Sequence, residues 1–216
     1  MKNRIKTIAE TLLGRQLTGN DGINISELET SEKSLNVKLP TALKELYLLV
    51  GKVDMFISSF EQFVKPYIKD GKLVFLEENQ GVCIWGIDIQ NIEKETVLMC
   101  NDFESDKPEW YSEDVSLPEF LIILMYYQCA QGGYEYGSAV YESDFDDRET
   151  YMQFLTDITI DYIKVVEHNG LVIYQNEGKL IWYFTDKEGI PPDTIFVSTR
   201  TAKEIKEFEK YGFREL

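Results

Sequence analysis

Leu73-Val74-Phe75-Leu76-Glu77-Glu78-Asn79-Gln80-Gly81-Val82-Cys83-Ile84-Trp85-Gly86-Ile87-Asp88 is the stretch on which the fold turns. Leu73 to Leu76 is an unbroken apolar run, and Val82 to Ile87 is a second. A strand covered on one face alternates apolar and polar residues; a strand covered on both does not. The two runs therefore predict a hairpin at the centre of a sheet, with Glu77 to Gly81 as its turn. That turn is more polar than turning requires. A Gly and a small polar residue suffice, yet Glu77, Glu78, Asn79 and Gln80 supply two carboxylates and two amides. These residues either form a rigid recognition edge or are simply a solvated turn.

Upstream, Ile5, Ile8, Leu12 and Leu13 recur at helical spacing, and Gly14 or Gly19 ends that helix. Ser26 with Glu29 has the capping-box spacing of a second helix. Pro40 and Gly51 bracket a third, whose apolar face is Leu43, Leu46, Tyr47 and Val50. Met55 to Ile57 reads as a short strand. Downstream, Thr96 to Cys100 is a strand, Asn101 to Asp114 an acidic loop, and Leu117 to Gln131 a helix. After Gly137 the pattern restarts with a helix at Arg148 to Asp157. Strands at Ile163–Val166, Leu171–Tyr174, Leu180–Phe184 and Ile195–Ser198 follow, with turns at His168-Asn169-Gly170 and Asn176-Glu177-Gly178. Thr201 with Glu204 opens a last helix.

Four local features, taken in order, resemble the SUKH superfamily (Smi/Knr-like), which contains fungal cell-wall synthesis regulators and bacterial immunity proteins. They are Leu39-Pro40 with Leu43, Leu46, Tyr47 and Gly51; the Leu76 to Gly81 turn with Trp85-Gly86-Ile87; Trp110 shortly before the Leu117 helix; and Gly132-Gly133 at that helix's end. The resemblance covers residues 20–137 and implies a binding protein, not a catalyst. It implies a SUKH-like domain over 1–137, with 138–216 as a C-terminal α+β extension packed on it.

Charge is the second informative feature. The formal net charge is −16. Residues 1–76 carry 11 basic and 9 acidic side chains, whereas residues 77–149 carry 3 basic and 18 acidic, a balance of −15. Residues 150–216 carry 8 and 11. Such a field repels nucleic-acid backbones and speeds encounter with a basic protein. The plainer alternative is that the acidity only keeps the chain dissolved. Trp110-Tyr111, Tyr126-Tyr127, and Tyr134 with Tyr136 lie in the same third, and such rings are efficient interface anchors or core residues.

Catalytic motifs are scarce. The single histidine, His168, precedes Asn169-Gly170 and reads as a turn residue. Cys83, Cys100 and Cys129 are widely spaced, which predicts buried thiols in a reducing cytoplasm and no zinc site. Asp144-Phe145-Asp146-Asp147 lacks the Gly and Glu of a calcium loop. No apolar run reaches membrane-spanning length, and the charged, interrupted N-terminus reads as a helix instead of a secretion signal.

The sequence thus predicts an α+β protein: a mostly antiparallel sheet flanked by helices, then a β-meander plus helix. The expected function is non-catalytic protein binding. The leading form is an immunity protein that neutralises a cognate polymorphic toxin, such as a basic nuclease, with no cofactor, metal, nucleic acid or membrane involved. A regulatory or scaffold module is the alternative, and a carboxylate-dependent enzyme a more distant one. Partner-binding candidates are Glu77, Glu78, Asn79, Gln80, Asp102, Glu104, Asp106, Trp110 and Tyr111.

Overall fold

The central hairpin forms, but its turn lies later than the sequence predicts: Glu77 ends the first strand and the second begins at Ile84, which leaves Val82 in the exposed tip. In the computed structural model, which describes residues 1–216 except 106, 187 and 190–192, Leu73, Val74, Phe75, Leu76 and Ile87 are fully buried and Ile84 nearly so. Burial of each such side chain is worth about 2 kcal/mol, so this hairpin anchors the first core.

The chain divides into two compact units, 1–10 with 15–128 and 11–14 with 129–216. The first holds helices α1 (Lys2–Leu13, whose last residues fall in the second unit), α2 (Ile25–Leu35), α3 (Thr41–Val50), α4 (Asp54–Ile57) and α5 (Leu117–Gln128). Its strands are β1 (Gln62–Lys69), β2 (Lys72–Glu77), β3 (Ile84–Asp88), β4 (Thr96–Cys100) and β5 (Tyr111–Ser116). They pair antiparallel in the order β1-β2-β3-β4-β5, a meander with β3 at its centre.

Both faces of this sheet are covered, which is why β2 and β3 lack alternation. On one face Phe63 and Phe75 join Tyr47 of α3 and Phe120 of α5, and Trp85 meets the same Phe120, with ring centroids 6.1–6.4 Å apart. On the other, Val74, Ile84 and Cys100 are capped by Tyr67, Phe103 and Trp110.

Three local expectations need correction. Met55 to Ile57 is the short helix α4, not a strand; Asp54 opens it, and Phe56 alone turns fully inward. The strand that leads into the hairpin is β1 instead, which pattern reading passes over because its exposed Gln62, Lys65 and Ile68 break the period across a bulge. Helix α2 is capped two residues before the expected Ser26: the Asn24 amide donates to the Glu27 carboxylate at 3.2 Å, closing the box earlier in the chain.

The second unit holds β6 (Tyr136–Tyr141), α6 (Arg148–Thr159), β7 (Ile163–His168), β8 (Leu171–Asn176), β9 (Lys179–Phe184), β10 (Thr194–Thr199), α7 (Ala202–Glu209) and β11 (Arg214–Glu215). The sheet order is β11-β6-β10-β9-β8-β7, antiparallel throughout. The expected meander is its β7 to β10 part. Strand β6, which the sequence pattern does not announce, spans positions 137 and 138 and pairs along its full length with β10. One face is covered by Tyr151 and Leu155 of α6 with Phe208 of α7. Trp182 is 5% exposed and donates to Ser198 Oγ at 3.0 Å, as a core tryptophan should. Asn169 and Gly170 take positive φ values of 47° and 81° and form the hairpin turn expected, but His168 itself ends β7, paired with Leu171 and half-buried, and is not a solvated turn residue.

Candidate functional site

The polar turn between β2 and β3 is built largely by its own acids. The Glu78 amide donates to Cys83 O at 2.9 Å, and the Gly81 amide donates to Glu78 O at 2.8 Å. The Glu78 carboxylate accepts from the Gln80 amide at 2.7 Å and the Val82 amide at 3.3 Å. Gly81 sits at φ 70°, where a side chain is strained. The Glu77 carboxylate is engaged elsewhere and accepts from the Tyr67 hydroxyl at 2.9 Å. Asn79, Gln80 and Val82 form the exposed tip, with Val82 57% exposed.

Beneath the tip lies Glu61, just before β1. Gln128, the last residue of α5 and fully buried, holds this point of the chain through three hydrogen bonds. Its Oε1 accepts from the Phe60 and Glu61 amides at 2.7 and 3.1 Å, and its Nε2 donates to Glu61 O at 2.5 Å. The Glu61 side chain is itself buried, with Oε2 lacking a hydrogen-bond partner. Burial and then the neighbouring Glu78 charge push its carboxyl up to about 7, against a weaker pull from the Asn79 amide. Burial, with Glu61, Glu78 and Glu113, pushes the Cys83 thiol up to about 12, so it is a poor nucleophile. Burial also pushes the Tyr127 hydroxyl to about 12, with help from Glu61, Glu78 and Cys83. Phe60 and Tyr127 meet edge to face at 5.4 Å.

Strand β5 is one of the two edges of the sheet. Glu113 accepts from Trp85 Nε1 at 2.7 Å. Asp114 takes a left-handed φ of 53° beside a bulge in the β4–β5 register. A twisted, charged edge resists pairing with a second sheet. Tyr111 is 49% exposed, and its hydroxyl donates to Glu109 at 2.6 Å.

The structure gives the sequence-derived candidates different roles. Asp102 organises its loop: Oδ1 accepts from Cys100 Sγ at 3.2 Å and from the Glu109 amide at 3.0 Å. Trp110 is half-buried on the outer sheet face with its Nε1 buried and unpartnered. Glu104 and Tyr111 are exposed. Asp106 lies outside the described residues. Tyr126 and Tyr134 are each 5% exposed and belong to the interior. Glu61 carries no sequence signal, because nothing in Ser58-Ser59-Phe60-Glu61-Gln62 marks a buried acid, and Glu113 is one acid among many in its stretch; Gln128 does carry one, as a polar residue on the apolar side of the Leu117 helix. Among the described residues, no group of three or more His, Cys, Asp or Glu is arranged to hold a metal ion, and no helix is long and apolar enough to cross a membrane. Comparison with protein-family models, curated proteins and solved structures returns no match.

Proposed function

We propose that this chain is a protein-binding protein of the immunity type, which neutralises a cognate toxin domain by covering a basic surface on it. The observation that carries this reading is the edge formed by β5 and the hairpin tip. There Tyr111 and Val82 stand exposed, among exposed Glu104, Glu109 and Asp114, in a stretch with a charge of −15 over residues 77–149. Carboxylates steer a cationic partner, and exposed apolar groups then supply contact area. The SUKH-like motifs point the same way.

The contacts decide which substitutions test this. Asp102 supports its loop, so reversing it would confound folding with binding. Glu104, Glu109 and Asp114 are exposed, and among the described residues the Glu109 carboxylate accepts from the exposed Tyr111 hydroxyl. The partner is captured from the native host, and its toxicity is measured with and without co-expression of this chain. We expect the chain to relieve toxicity. Asp114 holds a left-handed turn of the backbone and is left in place. E104K/E109K should slow association by roughly tenfold at low salt, with the difference shrinking as salt rises. Unrelieved toxicity, or association indifferent to both salt and the double reversal, would remove the reading.

A further inference from the structure

Glu61 is 5% exposed, and its Oε2 is buried with no hydrogen-bond partner. Buried carboxylate oxygens are normally satisfied, because a bare one forfeits its hydration without compensation. Its surroundings deepen the deficit. Glu78 from the turn acts on it with like charge, and the Asn79 amide is the one favourable group. Cys83 and Tyr127 feel Glu61 and Glu78 together, and Glu113 from β5 acts on the same Cys83. Among the described residues, the groups that act on the Glu61 carboxyl are Glu78 and the Asn79 amide, and neither is a cation. The hairpin, β5 and α5 thus bring acidic and polar groups to bear around one buried carboxylate oxygen that has no hydrogen-bond partner among the described residues.

We propose that this cluster receives one cationic side chain of the protein partner, a lysine ammonium or arginine guanidinium, and that Glu61 gives up a proton to solvent as the guest enters. The inference rests on the protein-binding reading above and names the chemistry of its central contact. Gln128 fixes the Glu61 backbone through three hydrogen bonds, so the carboxyl is held in place before the guest arrives. Tyr127, whose hydroxyl feels the Glu61 charge, meets Phe60 edge to face at 5.4 Å, a ring pair suited to a guanidinium or the stem of a lysine. The exposed tip from Asn79 to Val82 is the cover that the guest displaces. A metal ion is the poorer guest, since the described acids are not spaced to coordinate one. The proton balance is complete: a neutral carboxylic acid and a cation become an ion pair, and one proton goes to the buffer. With the carboxyl near 7, affinity for the guest rises with pH up to that point and flattens above it.

The test uses the full wild-type chain and no partner. The Glu61 side-chain carboxyl is assigned by through-bond NMR correlation from its own amide. Its titration midpoint is then measured against increasing methylguanidinium chloride, and in parallel against tetramethylammonium chloride, which carries the same charge but no N–H donor. The expected result is a midpoint lowered by about one pH unit or more with methylguanidinium, and little changed with tetramethylammonium. A midpoint that ignores methylguanidinium, or moves equally with both salts, overturns the receptor. Either failure leaves the acidic edge standing, because that surface is judged by the salt dependence of partner association.

Discussion

Replacing Glu61 with Gln should make the protein more stable at alkaline pH and leave it nearly unchanged at acid pH. Gln keeps the shape of the neutral acid and can still accept from the Asn79 amide, but it cannot ionise. In the folded chain, burial and Glu78 raise the Glu61 carboxyl to about 7 from its ordinary 4.5. A raised carboxyl binds its proton more tightly folded than unfolded. Its favourable contribution is therefore complete below about pH 4.5 and is lost progressively as pH rises through 7. A tenfold tighter hold on the proton in the folded chain is worth about 1.4 kcal/mol, so the whole displacement corresponds to about 3 kcal/mol between acid and alkaline conditions. The residue is 5% exposed but lies just under the exposed turn, so partial screening by solvent makes this figure an upper bound.

The assay is urea denaturation of wild type and E61Q from about pH 4 to about pH 9, a range wide enough to bracket both the ordinary and the raised value. Both proteins carry W182F, so that fluorescence reports the first unit through Trp85 and Trp110. Carboxylates whose values are lowered, such as Glu32 and Asp21, destabilise both proteins alike at low pH and cancel in the difference. The stability gap should open from near zero at pH 4 to between about 1 and about 3 kcal/mol in favour of E61Q above pH 8. A gap that stays flat across this range would mean that Glu61 is hydrated or paired, and the account of its burial would fall with it.

Three further positions probe how the first unit is held. Gly22→Ala should destabilise by about 3 kcal/mol in the same denaturation assay, since its new Cβ would lie 1.8 Å from the Leu48 carbonyl oxygen, where α3 cannot yield cheaply. Burial pushes the Glu32 carboxyl up, but Lys38 at 3.0 Å, the Leu39 amide at 2.9 Å and Lys44 at 3.2 Å outweigh it and hold it at about 2. E32Q should therefore cost about 2 kcal/mol at pH 7, discounted for the exposed Lys38, and the cost should fade as pH drops from about 4.5 towards 2. Trp110→Phe should change stability by under about 1 kcal/mol, because it keeps a ring on Val74, Ile84 and Cys100 and removes an unpartnered buried N–H. Trp110→Ala should cost about 2–3 kcal/mol.

How much of this is legible in the sequence depends on the range over which each residue's partners lie. The central hairpin is readable because its signal is local: Leu73 to Leu76 and Ile84 to Ile87 show their two-sided burial by lacking alternation, and Gly81 marks the turn. The β7 to β10 meander is readable for the same reason, with Asn169-Gly170 setting its tight turn. Strands β1 and β6 are not. Tyr67 and Ile68 of β1 sit beyond a bulge that shifts the register, and Ser138 of β6 is polar yet 5% exposed. Each pattern is broken by a pairing that only the folded sheet defines.

The same distinction sorts the candidate site. That acidity gathers in one third of the chain is a property of composition, and it leads to the β5 edge without any structure. Which acids are free to meet a partner is a matter of contacts. Asp102 and Glu78 stand in the same acidic stretch as Glu104, yet both spend their oxygens on backbone amides of their own loops. Glu61 lies outside that stretch altogether and becomes unusual through residues far along the chain: Gln128 fixes its backbone and Glu78 crowds its charge. A glutamate at the mouth of a strand is ordinary in sequence. It becomes a proton-holding group only when α5 and the hairpin turn close over it, so its chemistry belongs to the tertiary fold and would be lost in any excised peptide containing it.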